Sequence, residues 1–420
     1  MMFNKTKRLL YFPLAYYFYL FAKIVLNRWK PRIVVVTGSS GKTTLLHLLA
    51  SQLGDKAMYS FHANSSFGIP FNILGIERKT LSFLEWPYIF ITTPLRIFRS
   101  LPKNNIYVVE VDCDRPKEGM FLSKLLKPEV TLWVSLGRTH SMNFESLVRH
   151  NRFNSLEDAI SHEFGYLIEN TKNLVVLNSD SKYIMNQSSR TNAQLLKVSL
   201  NNLDYKYTIE RGRTHFKIRN ISHYFNYLLP LETLYGIEMS KSVMKYFGLK
   251  FDNSFSKFDL PAGRSSLFKG VKNTYLVDST YNANLDSMKV ILKMFIELKT
   301  TNHKWIVLGD MLEQGNNEAK EHKLLAQEIN NLKFDKIILM GPRISKYTQP
   351  YLKSSAVSFI NPNEVLLYLK KEIKGGEIIL FKGARFLEGV IENLLLNKSD
   401  PKKLVRREKV WDEKRKKFGL

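Results

Sequence analysis

Apolar positions along this chain fall into short unbroken runs, separated by longer stretches in which they recur every three or four residues. The first clear run is Ile33-Val34-Val35-Val36. Thr37-Gly38-Ser39-Ser40-Gly41-Lys42-Thr43-Thr44 follows at once, and then Leu45-Leu46-His47-Leu48-Leu49-Ala50. The run reads as a buried strand and the periodic stretch as a helix, so a glycine loop joins strand to helix. Further buried strands are expected at residues 106–111, 131–135 and 174–177, with helical stretches between them. Residues 204–219 alternate like a two-stranded excursion. A second alternating section starts near Pro261, with strands at residues 274–277, 304–308, 336–340 and 377–381. Such alternation predicts mainly parallel sheets covered by helices on both faces.

The two ends of the chain break this rhythm. Residues 9–22 are uncharged and aromatic, with Tyr16, Tyr17, Phe18, Tyr19 and Phe21 close together. A membrane-spanning helix needs about 20 apolar residues, and Lys23 closes the run early. Pro13 and the aromatics suit the membrane interface better than its centre. Lys5, Lys7 and Arg8 stand before the run; Lys23, Arg28, Lys30 and Arg32 stand after it. Two readings remain open: a helix packed on the protein's own core, and an anchor at an anionic membrane surface. The run lacks a small-residue cleavage site, which speaks against a cleaved signal peptide. Residues 402–417 are a charge-dense basic tail, by default a solvated helix.

Composition narrows the partners. The 420 residues suffice for two or three domains. With 63 Lys and Arg against 38 Asp and Glu, the net charge of +25 favours anionic partners. No aromatic-basic RNA pattern, zinc-ligand spacing or helix-turn-helix pattern accompanies it, which sets nucleic acid aside as the main partner. A single cysteine, Cys113, excludes an internal disulfide framework and fits a reducing compartment.

The glycine loop carries the chemistry. Two residues separate Gly38 from Gly41, where the common phosphate loop has four. Glycine lets backbone N–H groups approach phosphate oxygens with no Cβ in the way. The helix N-terminus adds partial positive charge, Lys42 adds a full one, and the Thr43 hydroxyl can ligate Mg²⁺. Gly38, Ser39, Ser40, Gly41, Lys42, Thr43 and Thr44 are therefore the expected ATP loop.

Three later stretches follow in order: Asp278-Ser279-Thr280-Tyr281-Asn282-Ala283-Asn284-Leu285-Asp286-Ser287-Met288, then Val307-Leu308-Gly309-Asp310-Met311-Leu312-Glu313-Gln314-Gly315 with His322 beyond it, and Lys382-Gly383-Ala384-Arg385. With the short loop, they resemble the Mur ligase family over roughly residues 31–395, and within it the branch that adds D-alanyl-D-alanine to a muramoyl tripeptide. The resemblance implies an α/β fold. A central P-loop ATPase domain with a mainly parallel sheet would span residues 31–260, and a Rossmann-like α/β domain residues 261–400. The segment 1–30 and the tail 401–420 would flank them. It also implies an ADP-forming ligase of peptidoglycan synthesis that uses ATP and Mg²⁺ to join a carboxylate to an amino acid or dipeptide amine. Such an enzyme works in the cytoplasm, here with the option of a peripheral place at the inner face of the membrane.

The same resemblance assigns roles. Lys42 would steady the transferring phosphoryl group, with Thr43 on the first Mg²⁺. Glu110 resembles the family's magnesium-binding glutamate, although glycines expected after it are replaced in Glu110-Val111-Asp112-Cys113-Asp114. His140 stands where a histidine ligand of the second metal is placed. Asn226, Arg264, Asp278 and Tyr281 would meet the nucleotide. Asn282, Asn284, Asp310 and Lys382 would face the incoming amine, and Asn64 the acyl substrate. Many members carbamylate a lysine near the second metal, but the matching stretch Ser161-His162-Glu163-Phe164-Gly165-Tyr166 has none. Either Glu163 supplies that negative charge directly, or Phe164 holds the position and the second metal is weakened or absent.

Only about 30 residues precede the loop strand, too few for the branch's usual uridine-nucleotide-binding domain. Three functions are therefore weighed: the D-alanyl-D-alanine addition, another amide on a lipid-linked or polymeric acceptor, and a non-catalytic nucleotide-binding subunit.

Overall fold

The structure of the protein, a computed structural model, describes residues 2–78, 84–383 and 386–420, with backbone alone at residues 2–9. It divides into two compact units. Unit 1 comprises Met1–Gly137, Ser146–Asn201 and Tyr235–Phe251; unit 2 comprises Arg138–Glu145, Asn202–Leu234 and Asp252–Leu420.

Unit 1 is built on a sheet of six strands: β1 (Arg32–Thr37), β2 (Ala57–Tyr59), β3 (Ile106–Val111), β4 (Val130–Trp133), β5 (Leu174–Asn178) and β6 (Gln194–Val198). Their order is β2-β3-β1-β4-β5-β6, and every pairing is parallel. The central strands are apolar on both faces because both are covered. On one face Val34, Val36, Val108, Leu132 and Val176 meet Leu45, Leu46 and Leu49 of the Lys42–Leu53 helix, together with Tyr235, Met239 and Val243 of the Thr233–Tyr246 helix. Helices Glu118–Leu126 and Leu156–Glu169 pack together elsewhere in the unit. Strand β1 lies between β3 and β4, so the chain switches direction across the sheet there. In sheets of this kind ligands bind at the carboxyl ends of the strands beside such a switch.

Unit 2 holds two sheets. The smaller is antiparallel: β7 (Tyr205–Glu210), β8 (Arg213–Ile218) and β9 (Ile221–Phe225). The expected two-stranded excursion thus has a third strand. Ile209 places it in the core of unit 2, and the Lys299 amide donates to the Ile209 carbonyl at 2.8 Å. The larger sheet contains β10 (Ser266–Lys269), β11 (Tyr275–Asp278), β12 (His303–Gly309), β13 (Lys336–Met340), β14 (Ala356–Phe359) and β15 (Glu377–Lys382). Its order is β10-β11-β15-β12-β13-β14, parallel except for β10. Alternate residues serve opposite cores. Val277, Ile306, Leu308, Ile337 and Leu380 face one cluster with Met288 and Leu325. Leu276, Val307, Ile338, Ile379 and Phe381 face another with Val365, Leu369 and Leu387.

Both chain ends depart from a simple reading. Residues 2–29 form one helix, Met2–Trp29, with Pro13 inside it. Its stripe Ala15, Phe18, Ala22, Val25 and Leu26 is buried, so the core-packing reading holds for that face. Leu10, Leu14, Leu20 and Ile24 on other faces remain exposed. The basic tail, expected to be solvated, instead docks through its arginines. Arg406 donates to the carbonyls of Thr280 at 3.1 Å and Tyr281 at 2.9 Å. Arg407 pairs with Glu392 at 2.7 Å, and Arg415, almost wholly buried, lies 3.9 Å from Glu388.

Candidate functional site

In unit 1 the glycine loop leaves β1 at Gly38, which has φ 138°. A Cβ there would lie 2.8 Å from the Ser135 carbonyl oxygen, so a side chain would push the loop off the end of β4. Gly41, at φ 77°, turns the chain into the Lys42–Leu53 helix. Strand β4 ends at Trp133, short of the expected residue 135, which releases Ser135 to hold the loop. The Ser40 amide donates to Ser135 Oγ at 2.8 Å, and that hydroxyl donates to the Ser40 carbonyl at 2.7 Å. The Gly137 amide donates to Ser39 Oγ at 2.8 Å. Thr44 is half-buried on the first turn of the helix.

Lys42 is almost fully buried. Its ammonium donates to the Gly38 carbonyl at 2.6 Å and pairs with Asp112 Oδ2 at 3.0 Å. Burial disfavours the charge, but Asp112 and Glu110 outweigh it and hold the lysine above its ordinary pKa. Thr43 Oγ1 donates to Glu110 Oε2 at 2.9 Å. Glu110 is opposite Val36 in the β1–β3 register, which carries it to the loop. A hydroxyl and a carboxylate side by side form a hard-oxygen set of the kind Mg²⁺ takes, so Thr43 and Glu110 fit the expected cation.

Asp112 was not foreseen. Residues two apart on an extended chain point the same way, so Glu110 already implied that the residue at 112 would face the loop. The Asp112 amide donates to the Asn64 carbonyl at 2.8 Å, which brings the Asn64 loop to this edge. Glu118 was also missed. Fully buried, it accepts from the Ser66 amide at 3.0 Å, Ser66 Oγ at 2.7 Å, the Asp114 amide at 3.0 Å and Tyr11 at 3.1 Å. It thereby ties the Asn64 loop, the segment after β3 and the N-terminal helix to one carboxylate.

Glu163 does other work. Its oxygens accept from the amides of Lys117 at 2.8 Å and Gly119 at 3.2 Å, at the start of the Glu118–Leu126 helix. Burial pushes its carboxyl up to about 7, opposed by those two amides and assisted by Glu118. The helix start accounts for this side chain without a cation, which replaces the expectation of a carbamate substitute. Phe164 is fully buried against Trp133 and offers no ligand.

Unit 2 gathers a second set at the carboxyl ends of β11, β15 and β12. Asp278 is fully buried; its Oδ1 accepts from the Thr280 amide at 2.9 Å and Thr280 Oγ1 at 2.6 Å. Burial raises its carboxyl above the ordinary range, against the Thr280 bonds and the charges of Arg406 and Arg407. Its Oδ2 is buried without a hydrogen bond among the described residues. Lys382 donates to the Asn282 carbonyl at 3.0 Å. Burial, then repulsion from Arg264, brings its pKa down to about 7 against the pull of Asp278. Arg264 lies over the exposed Tyr281 ring, 4.4 Å from its centroid. Arg264, Asp278, Tyr281, Asn282 and Lys382 are thus brought together. Ala384 and Arg385 of the same motif lie outside the described residues.

Two of the expected contacts, Asn284 and Asp310, have structural duties, and so does His322 of the second motif. Asn284 Oδ1 caps the Leu285–Glu297 helix by accepting from the Ser287 amide at 2.8 Å, and Ser287 Oγ closes the box on the Asn284 amide. Asp310 accepts from the amides of Arg343 at 3.1 Å and Ile344 at 2.9 Å, at the start of the Pro342–Tyr347 helix. His322 is buried, held at Nδ1 by Thr348 Oγ1 at 3.0 Å, and burial lowers its pKa to about 4. His140 belongs to unit 2, where its Nδ1 meets Glu313 Oε2 at 2.7 Å. Asn226 is exposed just after β9.

Comparison with known proteins agrees with this layout. Residues 36–231 match the Mur ligase middle domain, and residues 263–385 match the Mur ligase, glutamate ligase domain. The chain is 24% identical over 387 residues to the UDP-N-acetylmuramoyl-tripeptide--D-alanyl-D-alanine ligase of Borreliella burgdorferi, covering 87% of this chain and 74% of that one. Against the Bacillus subtilis protein of the same name it is 25% identical over 395 residues, 89% of this chain and 78% of that one. Among solved structures, the MurF ligase from Thermotoga maritima in complex with ADP superposes with a TM-score of 0.72 at 21% identity, over 90% of this chain and 83% of that one. MurF from Acinetobacter baumannii gives 0.71 at 16% identity, over 89% and 78%. These likenesses show a shared fold.

Proposed function

We propose, from the premise that this chain belongs to the Mur ligase family, that it is an ATP-dependent ligase adding D-alanyl-D-alanine to a muramoyl peptide. One observation carries the reading: Lys42, Thr43 and Glu110 meet at the carboxyl edge of a parallel sheet, on a glycine loop that no side chain at position 38 would allow.

A carboxylate resists an amine at neutral pH because its oxygen is a poor leaving group. Transfer of the γ-phosphoryl group from ATP to that oxygen gives an acyl phosphate and ADP. The amine nitrogen then attacks the acyl carbon, and phosphate leaves as the amide forms. Lys42 has three N–H bonds; two go to Gly38 and Asp112, and the third is the one we assign to a phosphate oxygen. The amides at the start of the Lys42–Leu53 helix receive further phosphate charge. Thr43 and Glu110 would hold Mg²⁺, which would offset charge on the phosphate oxygens.

In unit 2 the orphaned Asp278 Oδ2 suits a ribose hydroxyl, since a buried acceptor lacking a donor is costly until one arrives. Arg264 is the phosphate-contacting cation of that unit, and Lys382 with Asn282 receives the amine. His140 and Asn226 keep the metal and adenine roles assigned from the resemblance, and Asn64 the acyl-substrate loop. Part of this reading is a working place at the cytoplasmic membrane surface.

Phosphate release by the purified protein tests it, with ATP, Mg²⁺, UDP-muramoyl tripeptide and a panel of amines. Release that needs both the muramoyl peptide and D-alanyl-D-alanine is expected. Release with another amine would redirect the substrate, and no release with any pair would leave only nucleotide binding.

A further inference from the structure

The segment Glu85–Thr92 and its 3-10 continuation Thr93–Phe98 are apolar on two opposite faces. The inner face is accounted for. Trp86 packs on Phe67 and Phe18, with ring centroids 5.6 and 6.1 Å apart, and Phe90 packs on Phe18 and Tyr17, both at 5.1 Å. The outer face is not: Tyr88, Ile91, Leu95 and Phe98 are between 67 and 78% exposed. Their spacing of three, four and three residues makes one stripe rather than scattered exposure. A helix that is hydrophobic all round normally has a covering on every side.

The N-terminal helix runs beside this segment. Tyr17 donates to the Phe90 carbonyl at 2.7 Å, Arg28 bonds the Ile97 carbonyl, and Trp29 donates to the Asn104 carbonyl at 2.7 Å. Its residues Leu10–Trp29 are long and apolar enough to cross a membrane. Yet the buried stripe and these bonds hold it along the surface of unit 1, with Leu10, Leu14, Leu20 and Ile24 left exposed. Two adjacent elements therefore present unpartnered apolar side chains.

Charge identifies what covers them. Residues 9–31 contain no Asp or Glu, and residues 84–103 contain one, Glu85, which pairs with Arg78 at 3.3 Å. Lys23, Arg28, Lys30, Arg96, Arg99 and Lys103 lie in the same stretches. An apolar stripe with tyrosines, bordered by cations and without acids, complements a layer of hydrocarbon beneath anionic headgroups.

We propose that the outward faces of residues 10–29 and of residues 85–98 together form a platform that seats unit 1 on an anionic lipid bilayer, lying on it rather than crossing it. The inference rests on the membrane-surface part of the reading above and identifies which residues enter the lipid. It extends the contact well beyond the N-terminal segment, to a stretch that looks like ordinary core helix in the sequence.

Sedimentation of the full-length protein with vesicles tests it, using phosphatidylcholine alone or with about 30% phosphatidylglycerol. Binding to the anionic vesicles, weakened by salt, is expected. The double variant Ile91→Asn, Leu95→Asn should lower the partition coefficient at least tenfold and leave ligase turnover in solution unchanged. Should that variant not fold, hydrogen exchange of the parent decides the matter: amides of residues 85–98 should slow on addition of anionic vesicles. A protein that stays in the supernatant overturns the platform. So does a double variant that sediments like the parent, or exchange in 85–98 unaltered by bound vesicles. Concentration-dependent association without lipid binding, abolished by the double variant, would assign the stripe to a second copy of the chain instead. Phosphate release measured in the same samples keeps the outcomes apart, because failure of the ligase chemistry leaves vesicle binding untouched.

Discussion

At the scale of single residues, the charge that matters most sits on the glycine loop after β1. Lys42 is the ammonium that the loop carries into a buried site, already stabilised in its charged form by Asp112 and Glu110. Lys42→Ala is expected to lower ADP formation at saturating ATP and Mg²⁺ by about a hundredfold or more, because one preorganised charge on a transferring phosphoryl group is worth that much. Turnover within a few-fold of the parent would remove the loop from the mechanism. Glu163 offers a different test. Its carboxyl titrates near 7 in the folded protein against 4.5 ordinarily. Between those values the unfolded chain has released its proton while the folded one keeps it. Stability from this group therefore falls as pH rises through that window. Glu163→Gln cannot titrate, so the variant's urea midpoint should gain on the parent's between pH 5 and 7.5. A constant difference across that range would mean the carboxyl is not raised.

Elements show how local chemistry is shared between folding and function. The motif around Asn284 has a structural half. Asn282 shapes the loop that receives Lys382, while Asn284 begins a helix. Asn284→Ala should cost about 1 kcal/mol through loss of the cap. Chemical denaturation would register this as a lowered midpoint with an unchanged slope. If the cap is all that residue provides, the Michaelis constant for the amine should stay near the parent's, and a large rise would return Asn284 to the substrate. The basic tail is similarly divided. Arg406 fastens it to the carbonyls of Thr280 and Tyr281, beside Asp278, so the tail braces the loop that follows β11 in unit 2.

For the whole molecule, a net charge of +25 means that weak attraction to any polyanion accompanies specific binding. Retention on a polyanionic resin is expected at about 50 mM salt and loss of it by about 0.5 M, as counterion release requires. Retention indifferent to salt would point to shape-specific recognition of the polymer. The same screening length of about 8 Å at physiological salt limits how far exposed lysines act on their own. Apolar contact, as on the outer faces of residues 10–24 and 85–98, has to supply the rest of any surface attachment.

The sequence by itself determined the parts whose signal is local. Val34 and Val36 belong to a strand because a run of β-branched residues buried on both faces has no polar alternation to hide it. The glycine loop between that strand and the helix after it was legible because Gly38 and Gly41 both take positive φ, which glycine adopts most readily. Strands β2, β6, β9, β10 and β14 escaped notice. They lie at or beside sheet edges, are only partly buried, and so carry mixed residues such as Gln194 and Lys197. Tertiary structure alone decided what each polar side chain met. Glu163 and Asp310 look like ligands in a motif, yet each satisfies the amides at the start of a helix that is distant in sequence. Asp112 and Glu118 carry no motif, yet one holds the loop lysine and the other joins three segments. The physical reason is common to all four. A buried carboxylate must find donors, and which donors lie within 3 Å depends on how separate stretches pack, not on the residues beside it in the chain.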